Sequence, residues 1–293
     1  MLRRGVLVIC AAIAASAPGA AVIQAVQAGS CGPAGSLMRL AGLPEASGLT
    51  ASVSTPGRLW SHNDSGKPEL FALDAKGAIA GKTSVSGAQV VDWEAVASAR
   101  CGSGSCLYVA DIGDNAARRK DITVYRVLEP AQPGGTASVD AVLRAAYPDG
   151  AHDAEALLAT PDGSLYIVTK GETGPVSLYR FPRDAGGGKT VRLERVGSPL
   201  SKRASSPGER ITDGAISPDG GQVVLRTLSS LTFYRAADFL KGDFKELRRV
   251  DLKPLREPQG EGVTFGGSNI VYVAGEGGGK SQSGTLAALT CPR

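Results

Sequence analysis

The chain has 293 residues, 32 Lys and Arg against 28 Asp and Glu, 5% aromatic residues, 39 Gly and 17 Pro. A net charge of +4 on that length, with no basic stripe interleaved with aromatics, argues against a nucleic-acid surface. The length suits a single domain once a targeting segment is set aside.

That segment comes first. Arg3 and Arg4 precede the apolar run GVLVICAAIAASA, and small residues follow as far as AVQAGSC. A charged start, an apolar middle and a small-residue exit form a secretory signal over residues 1–28, with cleavage expected near Ala28. The apolar run is short for a bilayer span, so no integral membrane span is expected in the mature chain. The expected location is secreted, periplasmic or cell-surface. Acylation of Cys31 is the lesser alternative, because AGSC lacks the usual upstream Leu. Loss of Arg3 and Arg4 brings the net charge to +2.

Cys10 leaves with the signal and Cys31, Cys101, Cys106 and Cys291 remain. An even count in an exported chain points to disulfides, and four cysteines allow three pairings. Cys101 and Cys106 bracket GSGS, a loop that a local bridge would close. A bridge between Cys31 and Cys291 would require the two ends of the mature chain to be adjacent.

Residues 36–44, SLMRLAGLP, read as a strand. From there one phrase recurs five times: EASGL at 45–49, DWEAV at 92–96, DAEAL at 153–157, TDGAI at 212–216 and QGEGV at 259–263. Each is followed by a Gly-rich turn and a second apolar strand: RLWSHND, CLYVADIGDN, SLYIVTKG, QVVLRTL and NIVYVAGEG. Third strands follow: ELFALD, ITVYRV, VSLYRF, LTFYRA and, more weakly, GTLAAL. Polar fourth segments such as TVRLERVG and FKELRRVDL close the units. Only AADFL at 236–240 reads as a helical turn.

Short alternating runs rich in Val, Leu, Ile and Tyr, punctuated by Gly, Pro, Asp and Ser, are strands. Four antiparallel strands per unit at a period of roughly 45–60 residues predict an all-β β-propeller over residues 31–293. The count is five blades, or six if a long second or third unit hides another; a β-sandwich is the runner-up. The last unit stops after its third strand, so the N-terminal strand is expected to complete it and bring Cys31 beside Cys291.

The first strand of each blade lines the channel, so equivalent positions converge near the axis. Two places before the aligned apolar residue stand Ser47, Glu94, Glu155, Gly214 and Glu261; four before it stand Glu45, Asp92, Asp153, Thr212 and Gln259, with Asp213 beside them. Crowded carboxylates must protonate or take up a cation. Oxygen donors without His or Cys suit Ca²⁺, which gives Glu94, Glu155, Glu261, Glu45, Asp92 and Asp153 as expected metal ligands. The alternative is that each acid satisfies backbone N–H groups of its own loop.

The ends of the second strands add His62, Asn63, Asp64, Asp111, Asp114, Asn115, Lys170, Arg226 and Glu276. Asn63, Asp114, Asn115, Lys170, Arg226 and Glu276 are expected to contact a small polar or anionic ligand, and Asp64, Asp111 and His62 are the candidate general bases. Ordinary turn chemistry also explains SHNDSG and DIGDN.

In this order HNDSG, DWEAVA, DIGDN, DAEALL and QGEGV resemble the exported bacterial β-propellers of the phytase-like and esterase-like group, over residues 45–276. The resemblance implies a calcium-dependent propeller with an acidic channel, and hydrolysis of a phosphate monoester or other ester. The chain departs from it in lacking a Lys and Arg cluster; only Lys170 and Arg226 stand at suitable strand ends. GEGGGKS and AGGGKT are Gly-rich turns, since Ala274 and Arg183 occupy the place of a phosphate loop's first Gly. No Gly-x-Ser-x-Gly elbow exists. The sequence therefore favours a monomeric ligand-binding or scaffold propeller with a calcium-binding channel, the alternative being a metal-dependent phosphatase or esterase.

Overall fold

On the strand Leu165–Thr169 every side chain is buried, yet successive side chains face opposite ways. Leu165 and Ile167 pack with Leu157, Tyr179 and Ala95, while Tyr166 and Val168 pack with Ile211, Val223 and Tyr234. Such a strand lies in a sheet covered on both faces by other sheets, which is why it reads as a continuous apolar run. The pattern holds around the molecule. Four hydrophobic layers each join the side chains of two sequence-adjacent units, and a fifth joins Ala274 and Leu286 to Leu49, Leu59 and Leu73.

The computed structural model describes residues 31–292 apart from 268 and 280; the expected signal, residues 1–28, lies outside the described residues. Five antiparallel meanders follow one another. Unit I comprises Ala46–Ala51, Leu59–Asn63, Glu69–Leu73 and Ile79–Ser86. Unit II comprises Trp93–Cys101, Gly104–Asp111, Ile122–Leu128 and Thr136–Ala146. Unit III has Ala154–Ala159, Leu165–Thr169, Val176–Arg180 and Glu194–Leu200, and unit IV has Ile211–Ile216, Gln222–Thr227, Ser230–Arg235 and Glu246–Asp251. Unit V supplies Gln259–Phe265, Ile270–Glu276 and Gly284–Thr290. Its outer edge is completed by N-terminal residues: Met38–Leu40 and Gly32–Pro33 both pair antiparallel with Gly284–Thr290. Among the described residues the one α-helical turn, Ala236–Phe239, follows the third strand of unit IV.

The first strands pack side by side in a closed cycle, unit I against II, then III, IV, V and back to I. This is the topology of a β-propeller. The outer strands differ in kind: Thr136–Ala146 alternates exposed and partly covered residues because one face meets water. Cys31 is bonded to Cys291 and Cys101 to Cys106, one of the three pairings that four cysteines allow. Such bridges belong to an oxidising compartment, and among the described residues no helix is long and apolar enough to cross a membrane.

Near the axis the inner strands approach so closely that side chains are excluded. A Cβ added at Gly48 would stand 2.5 Å from Val96 N, and one at Gly262 would stand 2.5 Å from Ser47 O and 2.7 Å from Leu49 Cβ. Ala95 and Ala156 hold the equivalent places in units II and III. In unit IV the place belongs to Asp213, whose carboxylate accepts from Gly214 N at 2.7 Å and Val263 N at 2.8 Å. Burial pushes this carboxyl well above its ordinary value, against the pull of those N–H groups and that of Leu49. Gly262→Ala is expected to prise units V and I apart at a cost of about 1–3 kcal/mol, read as a lower midpoint in urea unfolding; an unchanged midpoint would refute the close approach.

Candidate functional site: an acidic cavity at the channel mouth

Every inner strand carries a register break at the same level. The breaks fall between Ala46 and Leu49, Trp93 and Ala95, Ala154 and Ala156, Ile211 and Asp213, and Gly260 and Val263. A bulge leaves one residue without a cross-strand partner and re-aims its side chain. The residues inside these breaks include Ser47, Glu94, Glu155, Thr212 and Glu261, and all five border one cavity of about 420 Å³. The local backbone irregularity, repeated five times, thus delivers one polar side chain per unit to the axis.

Thr212, not Gly214, is therefore the unit IV member of the ring. The sequence alignment of that unit is displaced by two residues. The two uncharged members fasten the ring: Ser47 Oγ donates to Glu94 O and Thr212 Oγ1 to Glu261 O, each at 3.1 Å.

The carboxylates divide into two lobes. In the first, Glu94 and Glu155 are neighbours, with Asp92 and Asp153 close by. The cation beside them is the Lys170 ammonium, 2.5 Å from Glu155 Oε1, 3.3 Å from Asp153 Oδ2 and 3.3 Å from Asn115 Oδ1. Burial works to lower the Lys170 pKa, but Glu155 and Asp153 override it and hold the ammonium above its ordinary value. Burial pushes Glu155 up to about 8, opposed by Lys170 and reinforced by Glu261. Glu94 is held well above its ordinary value by burial and by Glu155. Asp92 is raised by burial and Asp153.

The second lobe lies where unit V meets unit I. Burial raises Glu261, whose Oε1 accepts from Gln259 Nε2 at 2.7 Å. Glu276 is pushed up to about 7 by burial and then by the charges of Glu261, Asp64 and Glu45. Asp64 is raised by burial and by Glu45, itself bonded through Oε2 to Ser65 Oγ at 2.8 Å. Among the described residues, no basic side chain is paired with Glu276 as Lys170 is with Glu155.

The other sequence candidates are placed as follows. Asp64, Asn115, Lys170 and Glu276 border the cavity. Asp111 is buried and committed to Val91 N at 2.9 Å, Asp92 N at 3.3 Å and Arg119 Nη1 at 2.6 Å. Asp114 offers its N–H to Asp153 Oδ1 at 2.7 Å and accepts from Arg119 N. Asn63 Oδ1 accepts from Glu45 N at 3.1 Å. His62 is fully buried, edge-on to Trp93 with ring centroids 5.6 Å apart, and burial pushes its imidazole down to about 4.

Arg226 departs most from expectation. Its side chain is fully buried, 2.6 Å from Glu257 Oε2, and donates to Gly262 O at 2.7 Å and Ala274 O at 2.9 Å. It braces units IV and V rather than facing a ligand. Gly260 is part of the reason, since a Cβ there would collide with the guanidinium. Sequence reading missed Glu257 and Arg210 as cavity residues; nothing in the repeat marks them.

Among the described residues, no three His, Cys, Asp or Glu side chains stand together as a preassembled metal group. The oxygen-only chemistry suits a hard cation, but the donors are spread over two lobes and one lobe already holds an ammonium.

No protein-family model matches the sequence, and no curated protein is significantly similar to it. Solved structures match in fold. The PQQ-bound aldose sugar dehydrogenase of Streptomyces coelicolor is 14% identical with a TM-score of 0.52, over 89% of this chain and 98% of that one. A gluconolactonase of Xanthomonas campestris is 13% identical (TM-score 0.44; 80% of this chain, 69% of that one). The calcium-binding protein regucalcin of Agrobacterium tumefaciens is 15% identical (TM-score 0.44; 86% and 92%). At 14% identity the likeness to the dehydrogenase carries the propeller architecture and nothing of phytase-like specificity.

Proposed function

We propose that the protein is an exported ligand-binding propeller whose channel mouth takes a small cation and performs no turnover. The supporting observation is the excess of carboxyl groups over cations among the described residues that border the cavity. Lys170 serves Glu155 and Asp153 and Arg226 serves Glu257, while Glu94, Asp64, Glu261 and Glu276 are pushed toward their protonated forms. An arriving cation would exchange with protons rather than with water alone. Calcium is the inorganic candidate on donor chemistry. Glu45, Asp64, Glu261 and Glu276 would hold it, since Lys170 already faces the Glu94 and Glu155 side, and the ion would brace units I and V.

The pH dependence follows from the sign of the shifts. A carboxyl whose folded pKa lies above its unfolded value keeps a proton that the unfolded chain releases, so stability falls as pH rises between the two values. Glu276 and Glu155 set that window from their ordinary 4.5 to about 7 and about 8. In chelator, the melting temperature is expected to drop between pH 5 and pH 8.5, and millimolar Ca²⁺ to recover part of the loss at the upper end. A melting temperature that rises with pH would sink the reading.

One observation favours a second reading. Carboxyls held near neutrality in a cavity are suited to general acid–base work, which is the ester-hydrolase alternative. Turnover on a panel of phosphate esters, aryl esters and lactones, abolished by Glu276→Gln, would establish it.

A further inference from the structure

One place in the repeat holds an aromatic ring in three units and a short polar side chain in the fourth. Two places after the aligned Leu or Val of the second strands stand Ser61, Val109, Ile167, Leu225 and Val273. Their cross-strand partners on the third strands are Phe71, Tyr125, Tyr179, Thr232 and Ala287. Phe71, Tyr125 and Tyr179 are buried, and each packs in the layer between its own unit and the preceding one. Ala287 lies in the apolar layer that also holds Phe233 and Leu252. Thr232 is too short to fill the corresponding space, and a groove of about 720 Å³ opens beside it between units III and IV.

The groove is polar where the other interfaces are apolar. Thr232 and Tyr234 both line it from one face of the third strand, being only 5% and 4% exposed. Among the described residues neither hydroxyl is hydrogen-bonded to the protein. Thr227 and Ser230, whose hydroxyls meet at 3.0 Å, continue the wall, and Leu200 and Leu225 add apolar surface. Four cations among the described residues border the groove, Lys202, Arg203, Arg249 and Lys253, against the two carboxylates of Glu209 and Asp251. Both carboxylates are engaged close to their own backbone. Glu209 Oε2 accepts from Ser205 N at 2.8 Å and Ser205 Oγ at 2.6 Å, and Asp251 Oδ1 accepts from Lys253 N at 3.0 Å. Arg249 stands directly across the ladder from Thr232. Its contact with Glu246, 3.0 Å long between exposed side chains, holds the guanidinium only weakly.

We infer that this groove binds a carboxylate-bearing sugar, with Arg249 on the carboxylate and the Thr232 and Tyr234 hydroxyls on the ring oxygens. A guanidinium matches a carboxylate through two parallel hydrogen bonds. A sugar ring offers both hydroxyls for the polar wall and C–H surface for Leu200 and Leu225. A bare inorganic anion would use the charges and leave the volume and the two buried hydroxyls unmet. The groove and the acidic cavity share no lining residue, so the inference is independent of the cation reading above.

The full chain, isotope-labelled for amide resonances, is titrated in chelator with three compounds. These are D-glucuronate, D-glucose, which has the ring without the charge, and acetate, which has the charge without the hydroxyls. Glucuronate is expected to shift the amides of Thr232, Tyr234 and Arg249 and to bind at least about tenfold more tightly than either comparison compound. Arg249→Gln is expected to weaken glucuronate by about tenfold while leaving glucose unchanged, and Lys253→Gln serves if that variant does not fold. Thr232→Tyr restores the ring of units I to III and is expected to abolish glucuronate binding with the melting temperature retained; Tyr234→Phe, expected to weaken glucuronate severalfold, serves if the tyrosine is not accommodated. Equal affinity for glucuronate and glucose, equal affinity for glucuronate and acetate, the absence of any shift, or binding that survives Thr232→Tyr each overturns the site.

Discussion

Arg226→Met is expected to cost about 3–5 kcal/mol of stability, the largest effect of any single substitution considered for this chain. The guanidinium makes a buried ion pair with Glu257 and donates to two backbone carbonyls of unit V. Methionine fills much of the volume but leaves the Glu257 carboxylate buried beside no charge, with Gly262 O and Ala274 O short of donors. A melting-temperature loss on the order of 10 °C follows for a domain of this size. The double variant Arg226→Met with Glu257→Gln removes the stranded charge and is expected to regain a substantial part of the loss. If single and double variants melt alike, the cost lies in the carbonyls and the ion pair contributes little.

Replacing Cys31 and Cys291 together by Ser is expected to cost about 2–5 kcal/mol. The bridge spans 260 residues of sequence, so it restricts the unfolded chain more than the local Cys101–Cys106 bridge, whose separation is 5. It also fastens the seam at which the ring closes, where the terminal strand of unit V is flanked by N-terminal residues. The double variant should unfold at lower urea, with a steeper loss than the Cys101→Ser and Cys106→Ser pair. Equal losses would show that native-state strain, not chain closure, governs both bridges.

The sequence displays the architecture because each unit repeats a strand–turn–strand phrase whose second strand is a continuous apolar run, the mark of a sheet covered on both faces, followed by a polar, alternating outer segment. Residues 36–44 are legible as the closing strand because the fifth unit ends one strand short. Less legible is the exact ring at the axis. Aligning apolar residues puts Gly214 in the unit IV place, whereas aligning the turns TPDG at 160–163 and SPDG at 217–220 puts Thr212 opposite Glu155, as the bulges do. The small residues Gly48, Ala95, Ala156 and Gly262 stood in plain view, but only the approach of neighbouring strands gives them a reason.

The partners of the charges were hidden for a different reason. Lys170 and Arg226 look alike in sequence, each at the end of a second strand. One turns to the channel and meets Glu155. The other is drawn inward to Glu257, through a gap that Gly260 leaves open. A one-dimensional pattern records where a strand ends, not which of two neighbouring carboxylates its last side chain finds. The same holds for Asp111, read as a candidate general base, and Asp114, read as a ligand contact; their carboxylates are occupied by Arg119 and neighbouring N–H groups.

The closing strand carries a consequence for the time course of folding. Residues 32–40 are synthesised among the first of the described chain, yet their partner, Gly284–Thr290, is among the last. The early segment must wait unpaired until Gly284–Thr290 has been made, and the circle cannot shut before then. Pairings this distant in sequence form slowly, so a protein caught before that step would present the bare edge of Gly284–Thr290, a strand edge open to any other chain nearby.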